Sequence, residues 1–182
     1  MKISEKNNYI AITGAPGSGK TTLMREFAIR GITCIEEPAR QLIAEQRAIG
    51  GNALPEKDPS LFVEHLLSQS IQNFQSSIES DNLILFDRGI PDVIAYARWY
   101  NLSLGKIQKA CQDMRYRQQV FLLSPWEEIY STDEERKMTF EQTIIFHEYL
   151  KDAYRSAEYQ LIEVPQSSIE DRCKFMLGII AK

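Results

Sequence analysis

The sequence predicts a three-layer α/β fold in which helices cover both faces of a five-stranded, mainly parallel sheet. Short runs of β-branched or apolar residues alternate with longer stretches of helical periodicity along the 182 residues. A glycine-rich segment, Gly14 to Thr21, joins the first predicted strand directly to the first predicted helix. The composition of 43% hydrophobic and 25% charged residues is typical of a globular chain with a substantial core.

The individual elements follow from local patterns of apolar and capping residues. Five strands are predicted at residues 9–13, 33–36, 83–86, 120–123 and 159–164. A helix at 21–30 ends at Gly31, and Asp58 followed by Pro59 predicts the start of a helix that runs to about residue 80. Capping-box spacing predicts three further helix starts, at Ser124, Thr139 and Ser167.

Composition also limits the partners and the compartment. A net charge of -4 argues against broad nucleic-acid binding, so an anion site must be local. The spacing of Cys34, Cys111 and Cys173 fits neither disulfides nor zinc and predicts reduced thiols. The N-terminal residues predict neither a signal peptide nor a membrane helix, and no repeat divides the chain. We therefore expect one cytoplasmic domain over residues 1–182, without membrane or nucleic-acid partners.

The strongest motif is Gly14 to Thr21, which matches the GxxxxGK(S/T) pattern of a phosphate-binding P-loop. Its glycines allow backbone N–H groups to turn toward phosphate oxygens, and the helix N-terminus adds partial positive charge. Lys20 would reach the β- and γ-phosphates of ATP, and Thr21 would bind Mg²⁺. The predicted nucleotide-binding residues are Gly14, Ala15, Pro16, Gly17, Ser18, Gly19, Lys20, Thr21 and Thr22. The alternative is a glycine-rich turn that only connects strand and helix.

A second Mg²⁺ ligand is predicted at the end of the third strand. Asp87 follows the apolar residues 83–86, which are typical of a strand buried on both faces. This position is the carboxyl edge of the sheet, where α/β folds place their ligands. Arg88 follows instead of a water-polarising glutamate, which favours a second anion or an acceptor over water. The alternative is that Asp87 caps the turn at residues 87–92.

Two carboxylates, Glu36 and Glu37, close the second predicted strand beside Pro38. Because this strand ends at the same sheet edge as the P-loop, Glu37 could take a proton from an attacking hydroxyl. Arg40 lies three residues further along and shares that face. The alternative is that one or both glutamates cap the following helix.

Cationic residues outside these motifs supply further candidates. The charged segment at residues 131–137 either remains solvated or closes as a lid, over about residues 131–138, that brings Arg136 or Lys137 to the transferring phosphate. Arg115 and Arg117 precede the fourth predicted strand, and they are candidates for phosphate contacts or for surface charges.

The motifs together resemble a known family. They are Gly14 to Thr22, residues 37–40, residues 87–92 with Tyr96, residues 121–123 with Pro125 and Trp126, and Asp133 with Arg136. They look like those of small bacterial proteins labelled AAA-type ATP-binding proteins. That group is similar to the P-loop nucleoside and nucleotide kinases, including deoxynucleoside kinases, thymidylate kinase and ribosylnicotinamide kinase. The resemblance implies a P-loop NTPase fold with strand order 2-3-1-4-5.

The same resemblance implies roles for individual residues. Glu37 would match the glutamate that deprotonates the nucleoside hydroxyl in deoxynucleoside kinases. Asp87 with Arg88 would match their acidic-arginine pair after strand three, and Arg136 looks like an arginine of their lid. The chain departs from those kinases at Gly89, where they carry a serine, and in its thinner lid.

The resulting functional prediction is a small-molecule kinase. It would transfer the γ-phosphoryl group of MgATP to an unidentified nucleoside-like or other small-metabolite acceptor. The predicted catalytic residues are Lys20, Glu37, Asp87, Arg88 and Arg136, with Thr21 and Asp87 on the metal. The alternatives are an ATPase or nucleotide-dependent switch that acts on a protein partner, and a binding module without turnover. The long helix after Pro59 could pair across a homodimer.

Overall fold

The computed structural model describes residues 4–76, 81–131 and 138–181. Its main strands are β2 (Tyr9–Gly14), β3 (Thr33–Ile35), β4 (Ile84–Asp87), β6 (Gln119–Leu123) and β7 (Gln160–Glu163). They form one parallel sheet in the order β3-β4-β2-β6-β7, which is 2-3-1-4-5 when these five are counted along the chain. This confirms the predicted fold class. A separate parallel pair, β1 (Ser4–Glu5) with β5 (Met114–Arg115), was not predicted.

Helices cover both faces of this sheet. They are α1 (Lys20–Ile29), α2 (Pro38–Ala48), α3 (Pro59–Ser76), α4 (Ile90–Trp99), α5 (Gly105–Asp113), α6 (Phe140–Ser156) and α7 (Ile169–Ile180). Side chains of β2 alternate between two cores: Tyr9 and Ala11 pack with α2 to α6, and Ile10 and Ile12 pack with α1 and α7. In the described ranges, no helix is both long and apolar enough to span a bilayer.

Two of the predicted helix starts are present as expected. Asp58 Oδ1 accepts a hydrogen bond from the Leu61 N–H at 2.9 Å, directly before Pro59 opens α3. Thr139 and Gln142 form a reciprocal capping box at the start of α6. Both pairs satisfy amide groups that the first helical turn leaves unpaired, so these helices begin where their side chains can cap them.

The other two predicted starts were wrong. The described residues 125–131 form no α-helix and contain instead a 3₁₀ turn, Glu127–Ile129, while the Ser124 hydroxyl donates to Glu163 on the neighbouring strand β7. The last helix begins one residue later than predicted, since Ser168 Oγ, not Ser167, accepts from the Asp171 N–H at 3.2 Å. Ser124 thus meets a partner from a strand distant in sequence, and Ser168 caps the last helix in place of its neighbour Ser167.

Arg115 and Arg117 bind helix ends instead of lining a described cavity. Arg115 donates to the carbonyl of Ala157 at the end of α6 and lies over the Tyr159 ring, 4.1 Å from its centre. Arg117 donates to the carbonyl of Ile180 at the end of α7. Cations at helix C-termini offset the partial negative charge there, so these arginines stabilise the fold. The structure therefore favours neither of the two predicted roles.

Candidate functional site

The segment between β2 and α1 folds as a loop that only glycine permits at its key positions. A Cβ on Gly14 would lie 2.3 Å from the carbonyl oxygen of Leu123 on the adjacent strand. Gly17 has a φ of 78°, and a Cβ there would lie 2.7 Å from the Tyr130 ring. The loop therefore curls back over the end of the sheet, as a phosphate-binding loop does.

The buried ammonium group of Lys20 closes this loop. Its Nζ donates to the carbonyls of Gly14 at 2.8 Å and Ala15 at 3.3 Å. Burial, and then the charge of Arg88, lower the pKa of Lys20 to about 8. A phosphate oxygen that entered the loop would offer this cation a stronger, charged partner than either carbonyl.

A cavity of about 480 Å³ opens on the outer side of the loop, and we call it the loop cavity. Gly17 to Thr22 form one wall. The opposite wall carries Trp126, Ile129 and Ile169, whose two isoleucines are 42% and 38% exposed. Apolar side chains exposed beside a phosphate-binding loop are suited to covering a flat organic ring.

Arg172 of α7 completes the loop cavity, and sequence reasoning missed it. Its Nη2 donates to the carbonyl of Ser18 at 3.2 Å, and its guanidinium lies 5.8 Å from the centre of the Trp126 ring. The side chain is buried, yet its Nε and the Ser18 Oγ have no hydrogen-bond partner. Unsatisfied buried donors beside a cavity indicate a polar ligand.

Asp87 is the last residue of β4 and lies near Lys20 of the P-loop. Burial raises the pKa of Asp87 to about 6, although nearby Lys20 opposes this. Its buried Oδ1 has no hydrogen-bond partner. Asp87 and Thr21 line a second cavity of about 490 Å³, which lies between α1 and α2 beside the edge strand β3 and which we call the edge cavity.

These two residues fit a magnesium site of the P-loop type. In the described ranges, no cluster of three or more His, Cys, Asp or Glu side chains could hold a metal by itself. Mg²⁺, however, usually takes one or two protein ligands and completes its shell with phosphates and water. An unpartnered carboxylate oxygen beside a loop threonine meets that requirement.

Arg88 occupies a strained position directly after Asp87. Its φ is 78°, a left-handed conformation that is uncommon for a residue with a side chain. Its Nε donates to Glu37 Oε1 at 2.5 Å, and its Nη1 donates to Asp92 Oδ1 at 2.8 Å. The guanidinium is therefore fixed between two carboxylates, and its backbone N–H donates to the carbonyl of Ile12.

Asp92 is the anchor of this arrangement and was not predicted as a site residue. Besides Arg88, it accepts hydrogen bonds from Thr13 Oγ1 at 2.7 Å, the Gly89 N–H at 2.9 Å and Tyr154 Oη at 2.5 Å. The available signal was its place in the motif at residues 87–92, as an acidic residue in the first turn of the helix that follows Arg88. Three different elements thus hold one buried carboxylate.

Glu37 lies at the N-cap position of α2, but its side chain makes no capping hydrogen bond. Burial would raise its pKa, yet Arg88 and Lys20 outweigh burial and lower the pKa of Glu37 to about 2. The side chain is 17% exposed and lines a third cavity of about 310 Å³. The capping alternative is therefore not what the structure shows for Glu37.

This third cavity, the aromatic cavity, has Lys20, Glu37 and Arg88 at one end. Its walls carry four aromatic side chains, which are Phe62, Tyr96, Trp99 and Tyr100. Sequence reasoning singled out only Tyr96, because the others belong to segments whose apolar spacing looks like ordinary core. The cavity joins charged groups to a surface suited to a planar ring.

The structure brings most predicted site residues together. Lys20, Glu37, Asp87 and Arg88 form one cluster at the carboxyl edge of the sheet. Gly14 and Ala15 supply the carbonyls that hold Lys20, while Pro16 lines the aromatic cavity and Gly17 to Thr22 line the loop cavity. The predicted residues Arg136 and Lys137, with most of the predicted lid, lie outside the described residues.

The sheet order and the glycine loop around a buried lysine define the class: a P-loop protein with the strand order of P-loop kinases. A family profile described as AAA domain matches residues 9–172. The chain belongs to this AAA domain family, as its motifs predicted. No match was found among curated proteins.

Solved nucleotide-binding proteins share the fold. Deoxyadenosine kinase from M. mycoides, solved with dCMP and a flexible dCDP as products, is 14% identical with a TM-score of 0.67, over 95% of this chain and 98% of that chain. NadR protein in complex with NR is 17% identical with a TM-score of 0.70, over 96% of this chain and 50% of that chain. NadR in complex with NAD and AMP-PNP gives the same identity and TM-score. The chain thus spans half the length of NadR, and the likeness establishes a P-loop nucleoside-kinase-like fold.

Proposed function

We propose that the chain is a small-molecule kinase that transfers the γ-phosphoryl group of MgATP to a nucleoside-like acceptor. The observation that carries this proposal is the meeting of the loop cavity and the aromatic cavity, which share Lys20 and Arg40 among their lining residues. A triphosphate that enters the loop from one side would present its terminal group to a molecule in the other cavity. This is the geometry that phosphoryl transfer needs.

The loop cavity would hold the donor. Backbone amides at the start of α1 and Lys20 would bind the β- and γ-phosphates, and Arg172 would contact the polar part of the nucleotide near Ser18. Trp126, Ile129 and Ile169 would cover its base. Asp87 and Thr21 would hold Mg²⁺, which when bound neutralises charge on the phosphates.

The aromatic cavity would hold the acceptor. Its aromatic walls suit a planar heterocycle, and Glu37 with Arg88 lies at the end nearest the P-loop. The structural neighbours support this reading, because M. mycoides deoxyadenosine kinase was solved with nucleotide products and NadR with NR. The proposed acceptor is therefore a nucleoside-like molecule whose base is not specified.

The reaction would be a direct displacement. The acceptor hydroxyl oxygen forms a bond to the γ-phosphorus, the bond from that phosphorus to the bridging oxygen breaks, and ADP leaves with the bonding electron pair. Glu37, kept ionised by Arg88 and Lys20, accepts the hydroxyl proton as the new bond forms. Since its pKa is low, Glu37 orients the hydroxyl more than it pulls the proton away beforehand, and positioning dominates catalysis. Arg136 at the transferring group and a homodimer through α3 remain predictions.

An acceptor screen tests the proposal. MgATP is incubated with nucleosides, nucleoside monophosphates and ribosylnicotinamide in turn, and ADP formation is followed. At least one acceptor should raise ADP formation well above the acceptor-free rate. Lys20→Ala should abolish the increase, whereas Lys106→Ala, an exposed lysine on α5, should retain it. If no acceptor changes the rate and only slow hydrolysis is seen, the chain is an ATPase or switch and the kinase proposal is wrong.

A further inference from the structure

Arg40 lines all three cavities of the site. The loop cavity, the aromatic cavity and the edge cavity differ in most of their lining residues. Among the described residues that line them, Arg40 alone belongs to every one. Arg40 therefore lies where the three spaces meet.

The residues shared by two cavities show what meets at that point. Lys20 lies between the loop cavity and the aromatic cavity, where a terminal phosphate would face an acceptor. Thr21 lies between the loop cavity and the edge cavity, where phosphate would meet a metal. Glu37 lies between the aromatic cavity and the edge cavity. In a phosphoryl transfer, donor phosphate, metal and acceptor converge on the transferring group.

A cation is unusual at the position that Arg40 occupies in α2. It is the third residue of α2, in a first turn that contains no acidic residue, and the positive end of the helix dipole disfavours a cation there. Arg40 is half-buried and is one of the charges that hold down the pKa of Glu37.

We propose that Arg40 is a catalytic residue that contacts the transferring γ-phosphoryl group. The inference rests on the proposed function and adds to it the residue that bridges donor, metal and acceptor. A guanidinium offers several N–H donors in one plane, which can follow the equatorial oxygens as charge spreads over them. Arg40 thus acts on a group that ATP has and ADP lacks.

A comparison of the affinities for MgAMP-PNP and MgADP measures this contact without an acceptor. The chain has two tryptophans, and Trp99→Phe leaves Trp126 of the loop cavity as the fluorescent reporter. In that background, Arg40→Gln should weaken MgAMP-PNP binding by about tenfold to a hundredfold while MgADP binding changes by less than about threefold. Arg40→Lys, which keeps the charge but not the planar donors, should lose less.

Arg25→Gln is the matched control, because Arg25 lines the loop cavity and the edge cavity but not the aromatic cavity. It should change the two affinities in parallel. If Arg40→Gln also changes them in parallel, or not at all, or if Arg25→Gln shows the same selective loss, the assignment of Arg40 is wrong. With an active acceptor, Arg40→Gln should also lower kcat by about 10² to 10³.

The two proposals fail separately. A wild-type chain that binds MgAMP-PNP more tightly than Arg40→Gln does, but phosphorylates no acceptor, contradicts the kinase proposal and retains the γ-phosphoryl contact. A wild-type chain that transfers phosphate while Arg40→Gln keeps both the wild-type kcat and the wild-type affinity ratio contradicts only the role of Arg40. A chain that binds neither nucleotide overturns both.

Discussion

Arg88 shows how single residues are constrained at this site. A left-handed backbone conformation at a residue with a side chain costs about 1–3 kcal/mol and is kept where the surroundings over-determine it. Here two carboxylates, Glu37 at the N-cap of α2 and Asp92 in α4, hold the guanidinium, and the carbonyl of Ile12 accepts from the Arg88 backbone N–H. In this conformation Arg88 lines the aromatic cavity beside Glu37.

The opposite pKa shifts of Asp87 and Lys20 predict how nucleotide binding depends on pH. Asp87 must be ionised to bind Mg²⁺, so affinity should fall as pH decreases through about 6. Lys20 must be protonated to bind phosphate, so affinity should also fall as pH rises through about 8. Fluorescence of Trp126 in the Trp99→Phe chain, followed as MgAMP-PNP is added at each pH, measures the fall in affinity on the acid and on the alkaline side.

Asp87→Asn is the control for the acidic limb, because it removes the titrating group. The weaker binding that remains should no longer fall on the acid side. An affinity that stays constant from about pH 5 to about pH 9 in the wild-type chain would contradict both assignments.

A substitution at Glu37 should slow the chemical step without weakening the binding of the phosphoryl donor. Glu37→Gln keeps the size of the side chain but cannot accept the hydroxyl proton, so kcat should fall by about 10² to 10⁴. MgATP affinity should stay near the wild-type value, since Glu37 lines the aromatic and edge cavities but not the loop cavity. Steady-state kinetics with the best acceptor measures kcat, and a near wild-type kcat would leave Glu37 as only a structural partner of Arg88.

Residues at strand ends were predictable from sequence, and residues brought in by distant elements were not. Lys20, Glu37 and Asp87 follow strand patterns, so the rule that parallel sheets bind ligands at their carboxyl edge placed them together. Arg172 contacts Ser18 across 154 residues of sequence. No local pattern reports such a contact, because it exists only after α7 packs beside α1.

At the scale of elements, one of the two residues that cap the start of α6 also lines the aromatic cavity. Gln142 completes the capping box with Thr139 and lines that cavity. Thr139→Ala should lower the free energy of unfolding by about 0.5–2 kcal/mol because it leaves the Gln142 N–H without its partner. Urea denaturation measures the change, and Thr139→Ser should retain most of the stability. An unchanged midpoint in Thr139→Ala would show that the cap does not stabilise α6.

Ser124 and Thr139 show the limit of motif reading at this scale. Both start a capping-box pattern, yet only Thr139 caps a helix. Ser124 follows β6, and the neighbouring strand β7 brings Glu163 within reach of its hydroxyl. The order of strands, which local sequence does not contain, therefore decided between a helix and a 3₁₀ turn at residues 127–129.

At the scale of the whole molecule, the fold separates two binding spaces and joins them at one cationic point. The chain carries a net charge of -4, but Lys20 and Arg40 lie where the loop cavity and the aromatic cavity meet, and Arg88 lines the aromatic cavity beside them. The loop cavity contains Trp126 and the aromatic cavity contains Trp99. This arrangement would let the proposed kinase bring a nucleotide and a second small molecule together although the net charge of the chain is negative.

The fate of the γ-phosphoryl group tests this account most directly. ATP radiolabelled at that group is incubated with the chain, Mg²⁺ and each acceptor, and the products are separated. A kinase should yield label in a phosphorylated acceptor in equal amount to the ADP formed, and no such product with Lys20→Ala. Label that appears only as inorganic phosphate, at a rate that no acceptor changes, would contradict it.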